Sequence, residues 1–307
     1  MCTLIVLHRC IPGRPLVVAA NRDEFRARPA EGPAIREGRS GRILAPRDLA
    51  AGGTWLGLND RGVFVGLTNL RPAIADDVDP DAPAVAKPGL RSRGEVVTAA
   101  LEAGSAVEAA ETLGKLEIGA YNAFQLLVAD EREARLTVYR ERPEIIALQP
   151  GVHVIGNVDD RGGCGPGVGK GKGLVVGQET ATGEPRVRKL SRVRERVEKM
   201  RMQTDQDLFE GLASICREHV GGVGAQSVGS ASAATQFEST CVHAGYPGEA
   251  YGTRSSLLLE LAEDRERSRL WGTDGPPCER PYEDLSPLLR ALDVRSGPAA
   301  EAEHETR

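Results

Sequence analysis

The sequence is poor in aromatic residues, which make up 4% of its 307 residues, and its formal net charge is -5. Proteins that bind nucleic acids usually offer basic surfaces with aromatic stacking platforms, so no nucleic-acid partner is expected. The chain also lacks any run of about 18 apolar residues, so no membrane span is expected. The apolar start has no basic region before it and no cleavage signal, which predicts a cytoplasmic protein.

The chain has no C-x-x-C pair, and its cysteines lie far apart in a chain long enough to fold without disulfides. We therefore expect reduced thiols at all six positions, Cys2, Cys10, Cys164, Cys216, Cys241 and Cys278. The nearest approach to a zinc pattern is Cys216-x-x-His219 with Cys241-x-His243, whose second pair occupies alternate positions of a predicted strand. Zinc motifs normally offer tighter ligand pairs, so the sequence predicts no metal site.

A glycine-rich stretch at 161–177 superficially resembles a nucleotide-binding loop. It lacks the G-x-G-x-x-G pattern, and no Ser or Thr follows Lys170 or Lys172 as a P-loop requires. We interpret it as an exposed insertion, and we expect no cofactor.

The order of hydrophobic patterns indicates an α+β protein. Alternating residues predict two strand hairpins first, further strands after Ala123, and final strands at Gln236–Val242, Ser255–Leu261 and Ser268–Trp271. Helical periodicity lies between them, at Ser92–Ala103 with Ser105–Leu113 and at Val187–Met202 with Asp205–His219. Antiparallel sheets covered by separate helix pairs form a four-layer αββα sandwich. We expect one domain over 1–295 and a disordered tail at 296–307.

Cys2 is the most informative residue, because removal of Met1 would place a thiol and a free α-amine on one residue. An α-amine has a pKa of about 7.7 to 8.0 and can accept the thiol proton near neutral pH. N-terminal nucleophiles use this arrangement. A buried structural thiol is the alternative interpretation.

A run of four polar residues, Asn21-Arg22-Asp23-Glu24, follows the second predicted strand. If the first two strands pair, a carboxylate would hold the amine and a guanidinium beside the sulfur would favour thiolate. The alternative is a solvated turn.

Several ordered motifs give the chain a resemblance to a known family. They are Met1-Cys2-Thr3, Asn21-Arg22-Asp23-Glu24, Gly52-Gly53-Thr54-Trp55-Leu56-Gly57, Thr68-Asn69-Leu70-Arg71, Gly151 to Asn157 and Tyr251-Gly252-Thr253-Arg254-Ser255-Ser256. Together they resemble the NRDE family, also called transport and Golgi organisation protein two-like. That family is similar to the cysteine-type N-terminal nucleophile hydrolases, such as bile salt hydrolases and penicillin V acylases, so the resemblance implies their αββα fold.

The resemblance also implies roles for six residues. Cys2 would be the nucleophile and Asp23 would position its amine, while Arg22 only roughly matches a neighbouring arginine of the hydrolases. Asn69 would belong to the substrate side of the pocket, and Asn157 would contribute to the oxyanion hole. Arg254 would be the late arginine of the site.

The sequence therefore predicts an N-terminal cysteine amidohydrolase that acts on a small non-peptide or linear C–N amide through an acyl-thioester. The alternative is a non-catalytic haem-binding or trafficking protein on the same fold, for which Cys2, His8 and Cys10 are the candidate ligands.

Overall fold

The computed structural model describes residues 2–70, 89–158, 185–201, 207–220, 233–246 and 249–294. The strands are β1 Cys2–Ile11, β2 Arg14–Phe25, β3 Ala30–Glu37, β4 Arg42–Asp48, β5 Leu56–Asn59, β6 Phe64–Asn69, β7 Phe124–Ala129, β8 Ala134–Tyr139, β9 Pro143–Leu148, β10 Gly151–Ile155, β11 His243–Tyr246, β12 Glu249–Leu261, β13 Arg269–Asp274 and β14 Glu283–Asp284. The helices are α1 Arg93–Ala100, α2 Ala106–Leu113, α3 Pro185–Arg201, α4 Leu208–Cys216, α5 Ala233–Glu238 and α6 Ser286–Leu292. The glycine-rich insertion and the predicted tail lie outside the described residues.

The strands form two antiparallel sheets. The first has the order β10-β1-β2-β12-β13-β14, with β11 also paired to β12, and the second runs in chain order from β3 to β9. In the first sheet β1 and β2 lie side by side at the centre, although β10 and β12 come from distant parts of the chain. This topology brings the N-terminal hairpin together with residues near 155 and 255.

Alternation along the strands shows where each layer lies. Leu4 and Val6 of β1 belong to the core between the two sheets, whereas Ile5 and Leu7 pack against α3 and α4 on the outer face. Helices α1 and α2 cover the outer face of the second sheet in the same way. The layers are thus helices, sheet, sheet and helices, which confirms the predicted αββα sandwich. Among the described helices, none is long and apolar enough to cross a bilayer.

Three local features differ from what the sequence pattern indicated. Strand β2 continues through Phe25, so the polar run at 21–24 is part of a buried strand and not a solvated turn. The segment predicted as a strand at 236–242 begins with helix α5, and the strand starts only at His243. Strands β3 and β4 were not predicted, because Gly32 and Pro33 interrupt the alternation and β3 is a bulged edge strand.

Candidate active site

Cys2 begins β1 and pairs with Arg22 of β2. Directly opposed side chains of an antiparallel pair lie on the same face, with their Cβ atoms about 5 Å apart. Leu4 and Ala20 share this orientation and contribute to the core between the sheets. The thiol and the guanidinium therefore both face the space between the two sheets.

The guanidinium of Arg22 is buried, and its environment points to a binding role. It lies over the ring of Trp55, 4.0 Å from the centroid, and its Nη2 is 3.4 Å from Oδ2 of Asp48. Within the described part of the chain its Nη1 has no hydrogen-bond partner. A buried N–H without an acceptor is costly, so this atom is suited to meet a ligand oxygen.

Arg22 also lines a cavity of about 170 Å³ between the edges of the two sheets. Its walls are mostly apolar and include Ala20, Ala30, Pro33, Pro46, Trp55, Leu56, Leu257 and Leu285. Arg254 and Asp274 form part of the lining and bind each other, with Nη1 2.7 Å from Oδ1. Asp274 is largely exposed, so this ion pair lies at the mouth of the cavity.

Asn157 connects the end of β10 to the start of β1. Its Oδ1 accepts a hydrogen bond from the backbone nitrogen of Cys2 at 2.8 Å, and its Nδ2 donates to the carbonyl oxygen of Asn69 at 2.5 Å. The contact with Cys2 spans 155 residues of sequence. Asn157 therefore bridges the start of the first sheet and the end of β6 in the second.

The preceding residue, Gly156, fixes the position of Asn157. Its carbonyl oxygen accepts hydrogen bonds from Thr68 and Gln125 of the second sheet, each at 2.9 Å. A Cβ at this glycine would lie 2.8 Å from Leu190 of α3. The segment is thus held between the second sheet and α3, with no room for a larger residue.

Asp23 lies on the opposite face of β2 from Arg22, under the outer helices. Its Oδ1 accepts a 2.7 Å hydrogen bond from the hydroxyl of Thr253, and its Oδ2 lies 3.9 Å from Nζ of Lys189. Its backbone carbonyl accepts a hydrogen bond from the hydroxyl of Tyr251 at 3.0 Å. The carboxylate and the lysine are both buried, so this is an interior ion pair.

Burial has the largest effect on the ionisation of Cys2 and Asp23. It raises the pKa of the Cys2 thiol, while the backbone N–H of Asp23 and the charge of Arg22 lower it again in part. Burial likewise raises the pKa of Asp23, opposed by Lys189 and Thr253. Burial therefore favours the neutral thiol of Cys2 over the thiolate.

The family model of Transport and Golgi organisation 2 matches residues 1–269, which is most of the chain. The chain belongs to the Transport and Golgi organisation 2 family. It is 36% identical over 155 residues to the Transport and Golgi organization 2 homolog of Mus musculus, a match that covers 46% of this chain and 50% of that protein. The Homo sapiens protein is also 36% identical, over 153 residues and the same shares. The chain thus spans about half the length of the curated relatives that it matches.

Solved structures show the fold of this Transport and Golgi organisation 2 member. A mutant of the conjugated bile acid hydrolase from Clostridium perfringens superposes with a TM-score of 0.50 at 12% identity, over 97% of this chain and 95% of that chain. At this identity the likeness shows the fold alone. The fold is that of the N-terminal nucleophile hydrolases, as the sequence predicted.

The six predicted site residues do not all meet at one point. Cys2, Arg22 and Asn157 lie together, and the carboxylate of Asp23, on the other face of β2, is near enough to raise the pKa of the Cys2 thiol. Asn69 contacts Asn157 through its backbone carbonyl. Arg254 lies at the mouth of the cavity, in the bulge of β12 opposite Arg22.

Sequence reasoning missed two cations near these residues. Lys189 belongs to the helix predicted at Val187–Met202, and it is buried against Asp23. The burial of Lys189 could have been predicted from the sequence. Lys189, Val193 and Val197 are spaced four residues apart, which places the lysine on the apolar stripe of α3. Arg93 begins α1 and donates to the carbonyl of Ala123 at 3.3 Å. Burial lowers its pKa and Cys2 opposes that shift, so the two groups are within electrostatic reach.

A second group of reactive side chains lies near the carboxyl group of Asp23. One ligand atom from each of His219, Cys241, His243 and Cys278 lies within 4.8 Å of every other. The sequence pattern had paired Cys216 with these residues. The structure corrects that choice, because the thiol of Cys216 is buried elsewhere, beside Ser256 and Tyr282.

Proposed function

We propose that this protein is an N-terminal cysteine amidohydrolase that cleaves a small linear C–N amide through an acyl-thioester at Cys2. The observation that carries the proposal is the 2.8 Å hydrogen bond from the nitrogen of Cys2 to Oδ1 of Asn157. Removal of Met1 would turn that nitrogen into an α-amine beside the thiol of the same residue.

The raised pKa of the Cys2 thiol makes a base necessary, and the α-amine is the base closest to it. With a pKa of about 7.7 to 8.0 the amine is partly neutral at pH 7. Asp23 would support the processed terminus from the outer face of the sheet. Because Lys189 balances its charge, it would do so without holding the amine permanently protonated.

The proposed reaction has two steps, acylation of the sulfur and hydrolysis of the thioester. First, the amine takes the thiol proton, the sulfur bonds to the carbonyl carbon, and collapse of the tetrahedral intermediate breaks the C–N bond. The departing nitrogen takes the proton from the α-ammonium, which leaves an acyl-thioester and a free amine. Second, water gives one proton to the α-amine and bonds to the acyl carbon. The C–S bond then breaks, and the sulfur recovers the proton as the carboxylic acid product leaves.

Amide donors near the sulfur would stabilise the oxyanion of both steps. Nδ2 of Asn157 carries two N–H groups, one of which is used by the carbonyl of Asn69, and the other is proposed to bind the oxyanion. Asn69 would thus position Asn157 through its backbone. The open Nη1 of Arg22 is proposed to bind a polar atom of the substrate.

The cavity beside Arg22 suggests the class of substrate. Its apolar walls suit an aliphatic or aromatic acyl group, and its volume of about 170 Å³ suits a small molecule better than a peptide. Arg254 at its mouth would bind an acidic group only by leaving Asp274.

A thiol-directed electrophilic probe, read by intact mass, tests the proposal. We expect purified protein to lack Met1 and to gain one adduct, which is lost in Cys2→Ala and kept in Cys10→Ala, a matched change on the same strand. Retention of Met1 in protein that turns over amides, or equal labelling of Cys2→Ala, would contradict the mechanism.

Titration with haem distinguishes the proposed hydrolase from the alternative of a non-catalytic haem-binding protein. Saturable binding that needs Cys2, without an adduct at that residue, would favour a binding protein. Cys2 and His8 are six residues apart on one strand, which corresponds to about 20 Å. They are therefore too far apart to ligate one haem iron.

A further inference from the structure

We propose that His219, Cys241, His243 and Cys278 form a structural zinc site. The four residues come from three separate segments: the end of α4, the start of β11 and the loop after β13. Two thiolates and two imidazoles are a common ligand set for structural zinc.

The distances agree with a tetrahedron around one ion. With Zn–S near 2.3 Å and Zn–N near 2.0 to 2.1 Å, tetrahedral geometry requires about 3.8 Å between two sulfurs and about 3.6 Å between sulfur and nitrogen. The two sulfurs are 3.5 Å apart, and Nε2 of His243 lies 3.7 Å from Sγ of Cys241 and 3.1 Å from Sγ of Cys278. The ring of His219 completes the group, 5.1 Å from the ring of His243 between centroids. Small side-chain rotations would seat the ion.

Backbone contacts hold the three segments in place. The nitrogen of Cys241 donates to the carbonyl of Glu218 at 3.0 Å, which joins the first segment to the second. Nε of Arg217 donates to the carbonyl of Pro277 at 3.2 Å, which joins the first to the third. Each tether involves the residue next to a ligand, so the ligands are preorganised by the fold.

Binding of an ion by His243 would exchange the hydrogen-bond partner of its other ring nitrogen. Nδ1 accepts a hydrogen bond from Nη2 of Arg26 at 2.7 Å, and Oε1 of Glu279 lies 3.7 Å from the same nitrogen. An ion on Nε2 requires the proton on Nδ1, so Glu279 is the acceptor that would orient the ring. Arg26 would then pair with Glu279, from which it is already 3.7 Å distant. Such a carboxylate behind a ligating histidine is the usual outer contact of zinc sites.

The burial of the ligands also suits a structural ion. Cys241 and His243 are buried, whereas Cys278 is exposed and gives an entry path from solvent. Two thiolates balance the charge of Zn²⁺, so the loaded site is neutral. Soft thiolates with imidazoles favour zinc over magnesium or calcium, which prefer oxygen ligands.

A zinc ion at this site would stabilise the hydrogen bonds that hold Asp23. Between the ligands Cys241 and His243, the nitrogen of Val242 donates to Oγ1 of Thr253 at 2.8 Å, and that hydroxyl donates to Asp23. Zinc would thus fix the strand that orients the carboxylate, although it touches no reacting atom.

The test uses the full-length protein, purified under reducing conditions and equilibrated with zinc or cobalt. We expect one equivalent of tightly bound zinc by elemental analysis, and the visible absorption of tetrahedral cobalt thiolate after exchange. Cys278→Ser, a change at an exposed position, should lower zinc affinity at least tenfold while its thermal midpoint without metal stays close to that of the wild type. Cys216→Ser is the matched control and should keep full stoichiometry. Glu279→Gln should weaken binding about 10-fold to 100-fold.

Three results would overturn the proposal. The first is wild-type protein without stoichiometric zinc or the cobalt spectrum. The second is equal zinc affinity in Cys278→Ser and the wild type. The third is a Cys241–Cys278 disulfide that persists under reduction, seen as a mass lower by two hydrogens, because it would make the pair a covalent link instead.

Discussion

Replacement of Thr253 by Val tests how the buried carboxylate of Asp23 is held. The hydroxyl donates to Asp23 at 2.7 Å and accepts from the backbone nitrogen of Val242 at 2.8 Å, and the residue is fully buried. Valine keeps the shape but removes both bonds. Losing a hydrogen bond to a charged group and leaving a buried N–H unpaired should together lower the free energy of unfolding by about 4 kcal/mol.

Thr273→Val is the matched control. The Thr273 hydroxyl accepts from the nitrogen of Ser256 at 3.0 Å and donates to the carbonyl of Gly275 at 2.8 Å, so it makes the same two kinds of bond with neutral partners. We expect this change to cost about 2 kcal/mol. Urea midpoints of the two variants and the wild type, at equal slopes, measure the difference.

The pH dependence provides a further check. The Thr253 bond lowers the pKa of Asp23 against the upward effect of burial, so Thr253→Val raises that pKa further. The part of the wild-type advantage that comes from the bond to Asp23 is therefore full above the higher folded-state pKa of Asp23 in the variant, and it is lost as the pH falls through the lower folded-state pKa of the wild type. The part that comes from the Val242 nitrogen stays at every pH. Equal costs at Thr253 and Thr273, or a cost at Thr253 that does not change with pH, would refute the reasoning.

Two other changes examine the same region. Lys189→Met should lower the free energy of unfolding by about 3 kcal/mol, because it leaves the buried Asp23 carboxylate without its cation. The decrease in unfolding free energy, measured by urea titration, should be smaller at acidic pH. The control is Lys199→Met, an exposed change on the same helix, whose unfolding free energy should stay within about 0.5 kcal/mol of the wild type. Gly252→Ala should cost at least about 2 kcal/mol, since its Cβ would lie 2.2 Å from a carbonyl oxygen of the segment before β11. Its thermal midpoint should fall, whereas that of Gly32→Ala, whose Cβ would meet nothing within 4 Å, should not.

The layered fold could be predicted because alternation and helical periodicity are local signals. The pairing of β1 with β2 and the hairpin of β5 with β6 follow from such patterns. The polar run at 21–24 could not be placed in this way. Its burial depends on partners more than 160 residues away in the chain, such as Lys189 and Thr253, and a local pattern carries no information on them.

The candidate zinc ligands also could not be identified from local sequence patterns. Sequence spacing suggested Cys216 because it precedes His219 by one turn, but α4 turns that thiol into the core. Cys278 lies in a loop with no periodic pattern, and the hydrogen bond between Arg217 and Pro277 helps to hold that loop near the histidines. Ligand sets assembled from three segments are fixed by topology, which spacing within one segment cannot express.

Under the proposed removal of Met1, the position of Cys2 at the start of β1 would give the new terminus a defined environment. Its nitrogen donates to a side-chain amide oxygen, and this acceptor serves a peptide nitrogen and an α-amine equally well. Because Asn157 is neutral, it orients the amine without the strong upward pull that a carboxylate exerts on an amine pKa. The nearest buried carboxylate, Asp23, lies on the other face of the sheet and is paired with Lys189. A neutral acceptor at the amine and a balanced carboxylate behind it are what a base working near pH 7 requires.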